Sequence, residues 1–227
     1  TIDNLIDGSL PAPKRQQRMI AVRAQLRHAI ELVLNFAYLS ELTQGSIRPT
    51  DVSVSVPEVI IEASLFFQEL AERKQLKIHL EDRETQYCVK SNKDLLRQVF
   101  MNILENDVKY SDTGGEVRVR MSGQKDGNLY VEILSQGPGF DSQERARLFE
   151  LGFRGREARG MKASGSGLGL YICKRILDIY GAKIDAEYSP TSRETKFRIW
   201  FSGFTVDQEA TARYLKASAE KDNGPHR

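Results

Sequence analysis

Residues 165–170 read Gly-Ser-Gly-Leu-Gly-Leu and open a predicted amphipathic helix, GLGLYICKRILDIYG, which ends at Gly181. Three alternating glycines let the backbone approach an anion closely, and the N-terminus of the following helix presents unpaired N–H groups to it. The segment differs from the dinucleotide-binding fingerprint because a charged loop precedes it, where that fingerprint has a strand. Taken alone, the pattern is as typical of a turn as of a phosphate site.

A second candidate segment lies on the helix predicted after Asn92, which we expect to be its N-cap. Asn102 and Asn106 are four residues apart and Lys109 follows three later, so the three share one helix face. An amide oxygen is an acceptable Mg²⁺ ligand, and lysine supplies a positive charge for phosphate. Without other signals, this spacing is typical of a solvated face.

A third segment, SQGPGF at residues 135–140, directly follows a predicted strand. Around the three segments the pattern runs α–ββ–α–ββ–loop–α–ββ, with a helix opened by Pro57, a turn at residues 125–127 and a charged loop at 137–166. This order predicts an α+β fold, a two-layer α/β sandwich with its helices on one face of the sheet.

The N-terminal part predicts one long helix over residues 14–44. Its apolar residues recur at steps of three and four, and further apolar positions widen the seam: Met19, Val22, Leu26, Ala29, Val33 and Phe36, then Ile30, Leu34 and Ala37. Such a helix needs a partner, which is either its own domain or a helical hairpin or dimer bundle. We expect a homodimer through this helix, with residues 1–8 ending a preceding helix.

The amino-acid composition of the chain excludes several classes of function. The 227 residues are 40% hydrophobic and 28% charged, with a net charge of +2, which excludes a disordered chain and argues against a dedicated nucleic-acid binder. No apolar run is long enough to span a bilayer, so we expect no membrane contact by this chain. Two cysteines and three scattered histidines make neither a disulfide scaffold nor a zinc site.

Together, the three segments resemble the ATP-binding domain of sensor histidine kinases, over about residues 57–202. Residues 102–111 resemble the family's N box, residues 135–140 its first glycine box and residues 165–170 its second, while Phe149 and Phe153 resemble its aromatic box. The resemblance implies a Bergerat-type ATP-binding fold shared with gyrase, Hsp90 and MutL. It also implies ATP and Mg²⁺ as cofactors.

The resemblance also assigns roles to residues. Asn106 is the expected Mg²⁺ ligand, and the expected catalytic set is Asn102, Asn106 and Lys109. Nucleotide contacts are expected from a larger set: Asn106, Lys109, Tyr110, Ser135, Gly137, Gly139, Phe149, Gly165, Gly167, Leu168 and Gly169. The loop between the glycine boxes resembles the ATP lid, and its basic residues are candidates for phosphate contact: Arg145, Arg147, Arg154, Arg156, Arg159 and Lys162.

The same resemblance divides the chain into a partial dimerisation region (1–45), a linker (46–56), the ATP-binding domain (57–202) and a tail with a short helix (203–227). It implies a response-regulator receiver domain as partner and a cytoplasmic location, with any membrane anchor upstream. The family's phospho-accepting histidine motif is absent, and His28 lacks the neighbours of that motif. We therefore expect the acceptor upstream of Thr1 or not at all, and no autophosphorylation by this chain alone.

Two residues depart from the family pattern. Ser135 stands where the family usually has an aspartate that accepts a hydrogen bond from the adenine amino group, and Asp107 stands where a small residue is usual. The first change predicts a loss of about tenfold or more in ATP affinity. Asp107 is expected either to bias the metal site or to face solvent.

Three functions therefore stay open. The first is a sensor histidine kinase core, and the second is a degenerate, ATP-weak or ATP-independent scaffold, which Ser135 and the absent acceptor favour. The third is an ATPase of the gyrase or Hsp90 type. It is disfavoured because Asn102 stands where those enzymes place a glutamate base, and because residues 203–227 are too few for their second domain.

Overall fold

The computed structural model describes residues 11–160 and 165–222 and divides the chain into two units, residues 1–46 and 47–227. In the first unit, helix α1 spans Ala12–Thr43, which confirms the predicted long helix. Pro11 precedes the helix as its N-cap, and Gly45 follows with a φ of 62°. The predicted end of a preceding helix (1–8), the His28 side chain and Lys162 lie outside the described residues.

The second unit holds the remaining elements. Its helices are α2 (Val56–Arg73), α3 (Lys93–Tyr110), α4 (Ser142–Arg145), α5 (Arg156–Gly160), α6 (Gly169–Ile179) and α7 (Gln208–Asp222). Its strands are β1 (Ser53–Ser55), β2 (Lys77–Leu80), β3 (Tyr87–Lys90), β4 (Glu116–Gly123), β5 (Asn128–Gln136), β6 (Lys183–Ser189), β7 (Glu194–Ser202) and β8 (Thr205–Val206).

The main sheet has five strands in the order β2-β4-β5-β7-β6. Only β2 and β4 run parallel among these neighbours, since α3 and β3 intervene between them in the chain. The other three pairings are antiparallel, and Gly127, with a φ of 81°, makes the predicted turn between β4 and β5. This mixed α/β architecture confirms the predicted fold class.

One face of this sheet carries the core. Residues alternate between buried and half-exposed along β4 and β5, as expected for a sheet covered on one side. Fully buried side chains come from the strands and from three helices: Val119, Val131, Ile133 and Ile199, then Ile60, Leu96, Phe100, Ile103, Ile172 and Ile176. The opposite face is charged, with Arg198 Nε 2.8 Å from Glu132 Oε1.

A second sheet was not predicted. It has the order β1-β3-β8, with β1 inside the predicted linker and β8 inside the predicted tail. β2 and β3, expected as a consecutive pair, therefore belong to different sheets. Strands of two or three residues are too short to show a two-residue periodicity, so the sequence pattern does not reveal them.

The predicted loop at 137–166 also differs from expectation, because it contains α4 and α5. Asp141 and Glu144 form a capping box: the Asp141 carboxylate accepts from Glu144 N at 2.8 Å, and Asp141 N donates to the Glu144 carboxylate at 3.2 Å.

No described helix is both long and apolar enough to cross a membrane.

Candidate nucleotide-binding site

The second half of α3 forms one wall of the site. Asn92 caps the start of this helix as predicted, its Oδ1 accepting from Asp94 N at 2.9 Å and from Leu95 N at 3.1 Å. At the other end, the Lys74 ammonium donates to three main-chain carbonyls, those of Val108 at 2.9 Å, Lys109 at 3.1 Å and Ser111 at 2.7 Å. Lys74 thus satisfies helix-terminal carbonyls and places a positive charge at the negative end of α3.

Lys74 is not predicted as a site residue from the sequence, since it lies in a turn more than thirty residues before the carbonyls that it binds. Burial lowers the pKa of its ammonium, and the nearby Asp112 carboxylate opposes that shift. The three hydrogen bonds hold the backbone that carries Lys109 and Tyr110. Lys74 is therefore a positioning residue for the end of this wall.

Asn102 is buried between α3 and α6, and both ends of its amide are bonded. Its Oδ1 accepts from Gln98 Nε2 at 3.0 Å, and its Nδ2 donates to the Gly169 carbonyl at 3.1 Å. A Cβ added at Gly169 would lie 3.4 Å from the Asn102 side chain. This arrangement favours a positioning role for Asn102, which fixes the start of α6 against α3.

Asn106 is half-buried one turn further along α3. Unlike Asn102, its amide makes no hydrogen bond within the described residues, so its oxygen is available for a ligand. The described residues contain no cluster of three His, Cys, Asp or Glu side chains suited to a metal ion. A Mg²⁺ held here would thus take most of its ligands from phosphate and water, which suits this cation.

The first glycine segment lies directly against the end of α3. A Cβ at Gly137 would stand 2.4 Å from the Tyr110 carbonyl oxygen, so only glycine fits at this contact. Asp112 N donates to the Gln136 carbonyl at 2.8 Å and fastens the same junction. At Gly139, a Cβ would stand 2.1 Å from the Tyr188 ring, which packs 6.0 Å from the Phe140 ring.

Ser135, just before this turn, contacts Asp107. The Ser135 hydroxyl donates to Asp107 Oδ1 at 2.5 Å, and both residues are buried, with 7% and 2% of their surface exposed. Asp107 Oδ2 is buried and has no hydrogen-bond partner in the part of the chain that the structure describes. Burial raises the pKa of the Asp107 carboxyl to about 7, although the Ser135 hydrogen bond opposes the shift.

The expectation that Asp107 faces solvent is therefore wrong. The residue lies on the inner side of α3, because position 107 shares the buried stripe of Ile103 and Leu104. The sequence marked both residues as departures from the family but did not reveal that they touch, since 28 positions separate them.

The second glycine segment lies beside α3 and meets the lid. Gly167 has a φ of 72°, and its added Cβ would stand 2.7 Å from the Gly152 carbonyl carbon. Gly152 N donates to the Gly167 carbonyl at 3.1 Å. Lys109 Nζ would lie 3.3 Å from a Cβ at Gly165, which places the ammonium beside this segment. Leu168 is the N-cap of α6 and its side chain makes no capping hydrogen bond, while its main-chain N–H donates to Ser166 Oγ at 3.3 Å.

Three of the lid arginines make ion pairs with acids of the domain. Arg145 is 2.6 Å from Asp185 on β6, Arg147 is 2.9 Å from Glu150, and Arg156 is 2.5 Å from Asp141. The predicted contact of these residues with phosphate would therefore require the pairs to open. All three pairs are exposed, so each is worth little and opens at small cost.

The aromatic positions lie on the lid side. Phe149 and Phe153 are half-buried, and the Arg147 guanidinium stacks 4.8 Å from the centre of the Phe153 ring. The structure thus brings the asparagine segment and the two glycine segments together along α3. The aromatic pair lies on the loop that joins the two glycine segments.

Comparison with protein families now identifies the domain. Residues 91–203 match the model described as "Histidine kinase-, DNA gyrase B-, and HSP90-like ATPase". Residues 91–203 belong to this family. Within it, they form a sensor histidine kinase ATP-binding catalytic domain, because the curated relatives are kinases of that type.

Two such relatives show the extent of the similarity. The signal transduction histidine-protein kinase BaeS of Escherichia coli is 28% identical over 77% of this chain and 37% of its own length. The adaptive-response sensory kinase SasA of Crocosphaera subtropica is 25% identical over 78% of this chain and 47% of its own length. The chain thus spans less than half the length of these kinases.

Solved structures agree with the histidine kinase assignment. A mycobacterial sensor histidine kinase, MprB, is 29% identical with a TM-score of 0.59, covering 67% of this chain and 98% of that one. Full-length ShkA, solved in complex with AMPPNP, is 20% identical with a TM-score of 0.67, covering 90% of this chain and 42% of its own. The second similarity concerns the fold alone.

Proposed function

We propose that this chain is the catalytic core of a two-component sensor histidine kinase. It binds Mg-ATP and transfers the γ-phosphoryl group to a histidine outside this chain, for relay to an aspartate of a response regulator. The proposal rests on the contacts of α3 with both glycine segments. Asn102 on α3 is hydrogen-bonded to Gly169 of the second segment, and Tyr110 at the end of α3 lies against Gly137 of the first.

Each wall of the site has a separate task in this proposal. Asn106 binds Mg²⁺, which when bound neutralises charge on the phosphates. Lys109 places its ammonium beside the second glycine segment, where phosphate would lie, and the N-terminus of α6 begins at the end of the same segment. Phosphoryl transfer requires mainly positioning and neutralisation of charge, which these groups supply.

Partners follow from the same proposal. Helix α1 exposes large apolar side chains, with Val33 68% and Phe36 69% exposed, and a second copy of the chain would cover them as a homodimer. A receiver domain would accept the phosphoryl group, and a cytoplasmic location suits a kinase that uses ATP. We place the phospho-accepting histidine outside this chain, since His28 lacks the expected motif.

Calorimetric titration with ATP, with and without Mg²⁺, tests the proposal. We expect Mg-dependent binding that weakens about tenfold or more in Asn106→Ala, whereas Gln124→Ala in the exposed β4–β5 turn leaves it unchanged. Lys109→Ala should also weaken binding, and Lys125→Ala in the same turn is its matched control.

Two outcomes would contradict the proposal. Failure of the folded protein to bind ATP at millimolar concentration would favour the nucleotide-independent scaffold. Acid-labile radiolabel on His28 after incubation with γ-labelled ATP would overturn the placement of the acceptor outside this chain.

A further inference from the structure

The Asp107–Ser135 pair is a buried polar cluster with unused bonding capacity. Asp107 Oδ1 accepts from Ser135 Oγ at 2.5 Å, while Asp107 Oδ2 is buried with no hydrogen-bond partner among the described residues. A buried acceptor without a donor costs about 1–3 kcal/mol in general, so such groups commonly serve a ligand or a conformational purpose. This pair therefore requires an explanation beyond packing.

Its position points to the base of a nucleotide. Asp107 directly follows Asn106 on α3, and Ser135 is two residues before Gly137, whose backbone touches the end of the same helix. The pair thus lies where α3 meets β5, beside the first glycine segment and two residues from Lys109 on the same helix. A nucleotide with its phosphates at Lys109 and Gly165 would place its base near this junction.

The two residues supply one carboxylate and one hydroxyl to the junction. On the α3 side of the junction, Asp107 supplies a carboxylate. On the β5 side, Ser135 supplies a short hydroxyl side chain. The two side chains are in contact, and the carboxylate at the junction is that of Asp107 on α3. The hydroxyl donates to one carboxylate oxygen, and the other oxygen has no donor among the described residues.

We propose that Asp107, oriented by Ser135, is the residue that selects adenine in this site. This inference rests on the proposed function, since it concerns the base of the nucleotide that the site would bind. The free carboxylate oxygen accepts a hydrogen bond from the exocyclic amino group of adenine. Guanine presents a carbonyl oxygen at the equivalent position, so the two acceptors would repel each other.

The test compares three nucleotides at a pH above the pKa of Asp107, by calorimetric titration with Mg²⁺ present. ATP carries the amino donor, purine riboside triphosphate lacks it, and GTP presents an acceptor. We expect the wild-type protein to prefer ATP over the purine analogue by roughly tenfold to a hundredfold. Asp107→Ala should reduce that ratio to near one by weakening ATP binding alone.

A rescue variant distinguishes base recognition from damage to the fold. The double variant Asp107→Ala with Ser135→Asp returns a carboxylate to the junction from the strand side, so it should restore most of the preference for ATP. Ser135→Ala, which removes only the orienting hydroxyl, should give an intermediate ratio. Thermal unfolding of each variant shows whether the domain remains folded.

The experiment distinguishes failure of the proposed function from failure of this inference alone. If the wild-type protein binds no nucleotide, the proposed function fails and this inference with it. If it binds ATP but Asp107→Ala keeps the wild-type ratio of ATP to purine analogue, only this inference is overturned. A variant that unfolds is replaced in the comparison by Asp107→Leu, which has a similar shape but accepts no hydrogen bond, and an unchanged ratio there also overturns the inference.

Discussion

At the scale of single residues, Asp107 links the site to the stability of the domain. Its carboxyl has a pKa of about 7 in the folded protein, raised from 3.8 by burial, and the Ser135 hydroxyl partly opposes the shift. The folded state therefore holds a proton between about pH 4 and pH 7 that the unfolded chain releases. Since the folded state binds more protons in this window, stability falls as the pH rises through it.

We predict that this pH dependence is lost in Asp107→Asn. The free energy of unfolding of the wild-type protein, relative to that of the variant, should decrease by up to about 1.4 kcal/mol per pH unit within the window and then level off. Urea unfolding at a series of pH values measures the difference. Parallel curves for the two proteins between about pH 4 and pH 7 would contradict burial of the carboxyl.

Lys74 is a second residue whose role is decided by tertiary contacts. Its ammonium binds three carbonyls at the end of α3, so Lys74→Met should leave these carbonyls without their donor and cost about 1–3 kcal/mol in unfolding free energy. Lys77→Met, at an exposed position of β2, is the matched control and should change stability little. Equal unfolding midpoints for the two variants would rule out the capping role.

At the scale of elements, the C-terminal segment belongs to the domain. β8 pairs with β3, Asp207 N donates to the Gln86 carbonyl at 3.0 Å, and the Phe204 ring packs 5.7 Å from the Tyr87 ring. A Cβ at Gly123 would stand 2.4 Å from the Phe204 ring, so this aromatic residue lies tightly against β4.

Removal of residues 204–227 should therefore destabilise the domain. We expect a loss of about 3–5 kcal/mol, chiefly from the Phe204 side chain and the exposed edge of β3. A chain that ends after residue 222 is the control and should unfold as the full chain does. Differential scanning calorimetry compares them, and an unchanged midpoint for the shorter chain would show that β8 is dispensable.

At the scale of the whole molecule, we propose that assembly depends on α1. Its exposed apolar residues favour burial against another helix, and charge at the centre of this seam should prevent it. We predict that Val33→Glu with Phe36→Glu dissociates a dimer at micromolar concentration, while Gln16→Glu does not. Sedimentation equilibrium measures the mass, and a wild-type protein that is monomeric at every concentration would contradict the dimer.

Particular residues show which features of the structure can be predicted from the sequence. The glycine segments, the Asn92 cap and the turn at Gly127 were predicted, because each depends on local backbone conformation and neighbours a few residues away. The resemblance to sensor histidine kinases also came from the sequence, since it requires only the order and spacing of short motifs. The long helix α1 followed from its periodicity and the absence of an interrupting glycine.

The sequence by itself thus determined the main helices and strands, the fold class and the family, all of which are recorded in local patterns. Only the tertiary structure decided that β1 and β8 join β3, that Lys74 closes α3, and that Asp107 faces Ser135. The physical reason is the same in each case. These contacts join residues 28 to more than 100 positions apart, and their energy comes from burial and from hydrogen bonds between elements, which no local pattern encodes.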